Sequence, residues 1–168
     1  MLNQSDFGAH TVYRDLGKLT SNYRGGHVIY RPSWAWRRSL DLWDRLAWHC
    51  FRWGNVVYYV DETRAVTGDS TDPPEGLSAV VQMGRERNVG CWIATQRPKR
   101  IPLNLLSECD HYFVFHLGHP ADRALMAELT ETPEVREVSP DEHGFWLYQS
   151  GMRGGARYFS KLSVKDGD

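Results

Sequence analysis

Asp61-Glu62 is the first place in this sequence where chemistry is expected, because the pair directly follows the uncharged run Val56-Val57-Tyr58-Tyr59-Val60. Two adjacent carboxylates at the end of a buried strand are costly to desolvate without a cation or a hydrogen-bond partner. A Mg²⁺ ion that keeps water and phosphate oxygens among its ligands meets that need through one carboxylate. The other is then left to orient or deprotonate an attacking water. The same pattern also describes an acidic surface turn or a helix N-cap. A second apolar run, residues 89–95, ends in Gln96-Arg97-Pro98. A neutral amide there can bond both a phosphate oxygen and the attacking water, and so report whether a terminal phosphate is present. Taken alone, Gln96 is equally an ordinary turn residue.

These positions carry meaning only if both runs are strands of one sheet. Both lack polar alternation, which predicts strands buried on both faces, as in a parallel sheet covered by helices. In such sheets ligands sit beyond the carboxyl ends of the strands, where Asp61-Glu62 and Thr95-Gln96 stand. His27-Val28-Ile29-Tyr30 reads as a further strand stopped by Arg31-Pro32. Between the strands, Ser39 caps a helix in which Trp43, Leu46, Ala47, Cys50 and Phe51 share a face, with Gly54 as its stop. Residues 63–71 read as a polar loop, and Asp72-Pro73-Pro74-Glu75 as the capped start of a helix carrying Leu77, Val80, Val81 and Gly84. A short helix at 103–107, a third strand at 111–117 and a helix at 121–129 complete the alternation. The expected fold class is therefore α/β, a parallel sheet with helices on both faces. Phe145-Trp146-Leu147-Tyr148 and Ala156-Arg157-Tyr158-Phe159 flank a Gly-rich turn and read as a C-terminal antiparallel hairpin. Residues 1–26 are polar, with Val12, Leu16 and Leu19 as possible anchors, and 161–168 form a polar tail around a domain spanning 27–160.

Composition narrows the class. The 168 residues suit one domain of ordinary size, and 41% hydrophobic with 24% charged residues excludes wholesale disorder. Twenty Lys+Arg against twenty-one Asp+Glu leave a net charge of -1, so there is no global basic field, although a local basic patch is compatible with it. Three cysteines, an odd number, fit a reducing cytoplasm better than a disulfide framework. Cys109 and His111 form a C-x-H pair with no second half to complete a zinc site. No apolar run is long enough to span a bilayer. Five of the seven tryptophans, Trp34, Trp36, Trp43, Trp48 and Trp53, crowd one region, more than one helical stripe buries. The excess points to either core packing or a docking surface.

The ordered set His27-Val28-Ile29-Tyr30-Arg31-Pro32, the strand at 55–60 with Asp61-Glu62, Gly84-Arg85-Glu86-Arg87, and Ala94-Thr95-Gln96-Arg97-Pro98 resembles the HerA/FtsK-type P-loop ATPases. These are ring-forming motors that pump DNA in segregation, conjugation and phage packaging or assembly. The resemblance covers residues 27–129. It implies ATP and Mg²⁺ as ligands, with Asp61 holding Mg²⁺ through water in a Walker B-like motif. It also implies Glu62 activating the hydrolytic water, Gln96 sensing the phosphate, and Arg85 or Arg87 reaching a neighbouring subunit's nucleotide as an arginine finger. For the two arginines, a solvated helix end is the competing reading.

One departure stands out. The family cradles phosphates with G-x-x-x-x-G-K-[ST], and the only Gly-Lys pair here, Gly17-Lys18, is followed by Leu19 and has Val12 at the first glycine's place. The first β-α unit of the fold is therefore expected to be missing, with a P-loop supplied by a separate or upstream segment. Three functions follow: an ATPase-core polypeptide of a DNA-translocating or packaging motor, competent only with that loop and working as a homo-oligomeric ring; a non-catalytic assembly or structural subunit; and a Mg²⁺-dependent phosphoesterase or nuclease.

Overall fold

The computed structural model describes residues 10–137, 143–151 and 153–160; the tail at 161–168 lies outside them. Its elements are β1 (His10–Tyr13), α1 (Leu16–Asn22), β2 (His27–Tyr30), α2 (Leu40–Trp53), β3 (Val56–Val60), α3 (Thr63–Thr67), α4 (Glu75–Met83), β4 (Val89–Ile93), α5 (Leu103–Ser107), β5 (His111–Val114), α6 (Pro120–Leu129), β6 (Phe145–Gln149) and β7 (Arg157–Phe159). They fall into two compact units, one of residues 1–59 and 74–92 and the other of 60–73 and 93–168.

In the first unit a short β-α pair precedes β2 within the segment read as polar, so a β-α unit does stand ahead of the His27 strand where none was expected, although its turn carries no G-x-x-x-x-G-K-[ST]. β1 pairs in parallel with β2, with His10 opposite His27 and Tyr13 opposite Tyr30, and α1 buries Leu16 and Leu19. The turn between β1 and α1 is two residues, Arg14-Asp15, and Asp15 caps the helix by accepting from Lys18 N at 2.7 Å. Helix α2 runs between its expected signals: the Ser39 side chain accepts from Leu42 N, and Gly54 closes the helix at φ +64°. Helices α2 and α4 pack together, with Leu46, Ala47 and Cys50 buried on the first and Leu77, Ala79 and Val80 on the second. The two helices cross at Gly76, where an added Cβ would lie 2.5 Å from the Asp44 carbonyl and 2.8 Å from Trp48. The expected Asp72 cap is not made. Pro74 occupies the N-cap position without a side-chain bond, and Asp44 on α2 instead accepts from Gly76 N at 2.6 Å. A cap from a neighbouring helix leaves no trace in local spacing.

Strands β3 and β4 pair with each other, and among the described residues with no other strand. Asn55 N donates to the Arg87 carbonyl at one end and Ala94 N to the Val60 carbonyl at the other, so they run parallel. Burial on both faces was expected and is not found. Tyr58 and Val60 are buried, but Val57 is 68% and Tyr59 58% exposed, and Trp92 on β4 is 55% exposed. The run of β-branched and aromatic residues reflects strand preference on both faces, with cover on one.

In the second unit β5, β6 and β7 form an antiparallel sheet in that order, with Val114 opposite Trp146 and Phe145 opposite Phe159, so the C-terminal hairpin adds to β5. The third strand ends at Val114, three residues short of expectation. Tyr112, Val114, Met126, Ala127, Val135 and Ala156 form its core. The segment after β3, read as a loop, opens as helix α3, with Thr63 and Thr67 fully buried. No helix among the described residues is long and apolar enough to cross a membrane.

Candidate functional site

Asp61, Glu62, Ala94, Thr95 and Gln96 line one cleft of about 270 Å³ in the second unit. Its walls follow from how the chain leaves β3. Ala94 N donates to the Val60 carbonyl at 2.8 Å, and the Ala94 carbonyl accepts from both Thr63 N at 3.0 Å and Thr63 Oγ1 at 2.8 Å. A regular parallel ladder would return to residue 62, so one extra residue lies between the two anchors. Asp61 and Glu62 lie between those anchors and are exposed, while Thr63 is sealed beneath them. Thr67 Oγ1 donates to the Thr63 carbonyl at 3.2 Å and continues the buried polar column. Glu62 is the N-cap residue of α3 but makes no side-chain capping bond, which leaves its carboxylate for the cleft.

Gln96 is presented by a second staple. Thr95 Oγ1 accepts from Arg97 N at 3.1 Å, turning the chain immediately around Gln96. Downstream, Asp122 at the start of α6 is fully buried, and it accepts from Arg97 Nε at 2.7 Å and Lys99 N at 2.8 Å. A buried carboxylate holding one guanidinium and one backbone N–H fixes the position of the loop that carries Gln96. Neither Thr63 nor Asp122 stands out in the sequence. Thr63 sat in an expected loop, and Asp122 looked like an ordinary acidic residue in the first turn of a helix opened by Pro120.

Two carboxylates and an amide on one cleft suit a Mg²⁺ ion completed by water and phosphate oxygens, and do not suffice for a protein-only cage. Among the described residues no group of three His, Cys, Asp or Glu could hold a metal. The three cysteines are free, and burial pushes the Cys50 and Cys109 thiols up to about 12 and about 11, away from the thiolate that metals take.

Arg85 and Arg87 lie in the first unit, on the 3₁₀ turn Gly84–Arg87 that ends α4. Both are exposed, but their surroundings differ. Arg87 donates to the Arg52 carbonyl at 3.2 Å and stands 5.3 Å from the Phe51 ring centroid, tying the turn to the end of α2.

No family model and no curated protein matches the sequence. Solved structures do match. The genome packaging NTPase B204 from Sulfolobus turreted icosahedral virus 2, in complex with AMPPCP, superposes with a TM-score of 0.69 at 14% identity over 96% of this chain and 76% of that one. The chain shares the fold of a viral genome-packaging NTPase. The same NTPase with ATP-gammaS gives 0.67 at 14% identity over 92% and 74%. B204 described as the DNA-packaging ATPase of Sulfolobus turreted icosahedral virus gives 0.67 at 16% identity over 97% and 78%. The P-loop NTPase-like fold expected from the motifs is thus the fold found.

Proposed function

We propose that this chain is the ATP-hydrolysing core of a cytoplasmic DNA-translocating or packaging motor, acting with a phosphate-binding loop supplied by a separate or upstream segment. The observation that carries the reading is the convergence of Asp61, Glu62 and Gln96 on one cleft at the ends of two parallel strands. In this reading Asp61 holds Mg²⁺ through water, and the ion, when bound, neutralises charge on the phosphates. Glu62 accepts the proton of the attacking water. Gln96, held by the Thr95 and Asp122 staples, bonds the terminal phosphate and that water. Arg85 supplies the finger to a neighbouring copy in a ring, because Arg87 is already engaged with the Arg52 carbonyl. The nucleotide-bound states of the B204 structures agree with ATP as the substrate.

The absent G-x-x-x-x-G-K-[ST] favours one competitor, a non-catalytic assembly subunit that keeps the sheet without turnover. Titration and turnover separate the two. The isolated chain is expected to show no micromolar affinity for ATP·Mg²⁺, because the backbone N–H groups and lysine of the missing loop supply most phosphate contacts. Reconstituted with a strand, phosphate loop and helix in cis or in trans, it binds ATP. The Glu62→Gln variant of that form keeps binding while hydrolysis falls by about 10²–10⁴, the usual contribution of a general base. Turnover within twofold of the parent removes Glu62 from this role, and failure of every reconstitution to bind ATP selects the assembly subunit.

A further inference from the structure

The first unit carries a second concentration of chemistry, at the carboxyl ends of β1 and β2. A cleft of about 470 Å³ is lined by Arg14, Lys18 and Arg31, together with Val12, Tyr13 and Asp15. Asp15 spends one carboxylate oxygen on capping α1, so cations outnumber anions three to one around this space. Three residues past Arg31 the chain enters a turn in which Trp34 is 71% and Trp36 61% exposed. Large indole rings left in water on an ordered turn are unusual, since burying either ring is favourable.

This turn is ordered. Trp36 N and Arg37 N both donate to the Ser33 carbonyl, and Ser39 N donates to the Trp36 carbonyl. Arg37 Nε donates to the Pro32 carbonyl, and Trp43 Nε1 on α2 donates to the Arg37 carbonyl at 2.9 Å. The scaffold thus fixes the backbone while leaving the two indoles outside. Arg37 and Arg38 place their guanidinium carbons 5.9 and 5.8 Å from the Trp34 ring centroid. Trp34 exposed beside two guanidinium groups, Trp36 exposed on the same turn, and a cationic cleft lined by Arg31 three residues upstream match a ligand that offers both flat aromatic faces and a row of phosphates.

We propose that this surface binds a single nucleic-acid strand, with bases stacking on Trp34 and Trp36 and backbone phosphates seated against Arg31, Arg38 and the Arg14–Lys18 cleft. A duplex keeps its bases stacked on one another and offers the indoles no face, so the exposed rings favour an unpaired strand. Such binding does not depend on ATP hydrolysis, and it gives a place to the tryptophans that exceed what α2 can bury.

The test uses the full chain without nucleotide or Mg²⁺, and a fluorescein-labelled oligodeoxythymidylate of about 20 nucleotides, longer than one stacking site. Anisotropy and quenching of tryptophan fluorescence report binding, with the matching duplex and dextran sulfate as comparison ligands. The oligonucleotide is expected to bind more tightly than the duplex and to quench the indoles. Trp34→Ala should weaken binding by about 5- to 160-fold, the range for one base stack removed, while Trp34→Phe restores most of it. Arg31→Ala with Arg38→Ala should lower the slope of log K against log salt by about 0.7 for each phosphate that is no longer neutralised. Both aromatic variants are compared with the parent by circular dichroism, so that a fold change is not read as weakened binding. The proposal fails if no binding is detected, if Trp34→Ala binds within twofold of the parent, or if the duplex or dextran sulfate binds as tightly as the oligonucleotide.

Discussion

Asp122 makes the sharpest structural prediction, because a fully buried carboxylate holds two donors from the loop that presents Gln96. Asp122→Ala removes both bonds at once. Breaking one side of a buried ion pair costs about 3–5 kcal/mol when the stranded charge stays dry. The Arg97 side chain is 41% exposed and recovers water, which lowers its share to about 1–1.5 kcal/mol. The orphaned Lys99 N–H adds about 1–2 kcal/mol if it stays buried. The sum is about 2–3.5 kcal/mol, or a fall in Tm of about 5–12 °C for a chain of this size. Asp122→Asn keeps an acceptor for Lys99 N but turns an amide NH₂ toward the guanidinium, so it should lose about half as much. Thermal and urea denaturation followed by circular dichroism measure both. If both variants melt within about 1 °C of the parent, the clamp contributes nothing and Gln96 is not held on a rigid loop.

Three other outcomes are expected. Asp44→Ala removes the acceptor that caps α4 at Gly76 N and should cost about 1–2 kcal/mol in urea titrations, whereas Asp72→Ala, outside any cap, should be near neutral. Gly76→Ala drives a methyl into the Asp44 carbonyl and Trp48 and should destabilise by about 1–3 kcal/mol or more, despite the better helix propensity of alanine. Stability should fall as pH rises from about 9 toward 11: burial holds the Cys50 and Cys109 thiols protonated up to about 12 and about 11 in the native state, while the unfolded chain has already released those protons. Cys109→Ala should flatten part of that slope, and Tyr112, raised to about 12 by burial, leaves a residual decline at the alkaline end. An unchanged slope in Cys109→Ala would show that its thiol is not desolvated.

Where chemistry depends on neighbours along the chain, the residues alone sufficed. Ser39 and Gly54 bracket α2 because capping and the left-handed stop act within one turn of the helix. Asp61-Glu62 and Gln96 could be placed at strand ends because a run of strand-forming residues followed by polar ones marks where pairing stops, and parallel strands bring such ends to one edge. That these 168 residues contain no G-x-x-x-x-G-K-[ST] is likewise a matter of residue order. What the sequence left open depends on which elements pack together. Thr63 is buried because its hydroxyl meets the Ala94 carbonyl, 31 residues away, and α4 is capped by Asp44, 32 residues before its partner. Asp122 becomes a loop clamp only when α6 sets it against Arg97 and Lys99. The exposure of Val57, Tyr59, Trp34 and Trp36 is also a tertiary outcome. A side chain's hydrophobicity sets the free energy that burial would release, and only the positions of distant elements determine whether anything covers it.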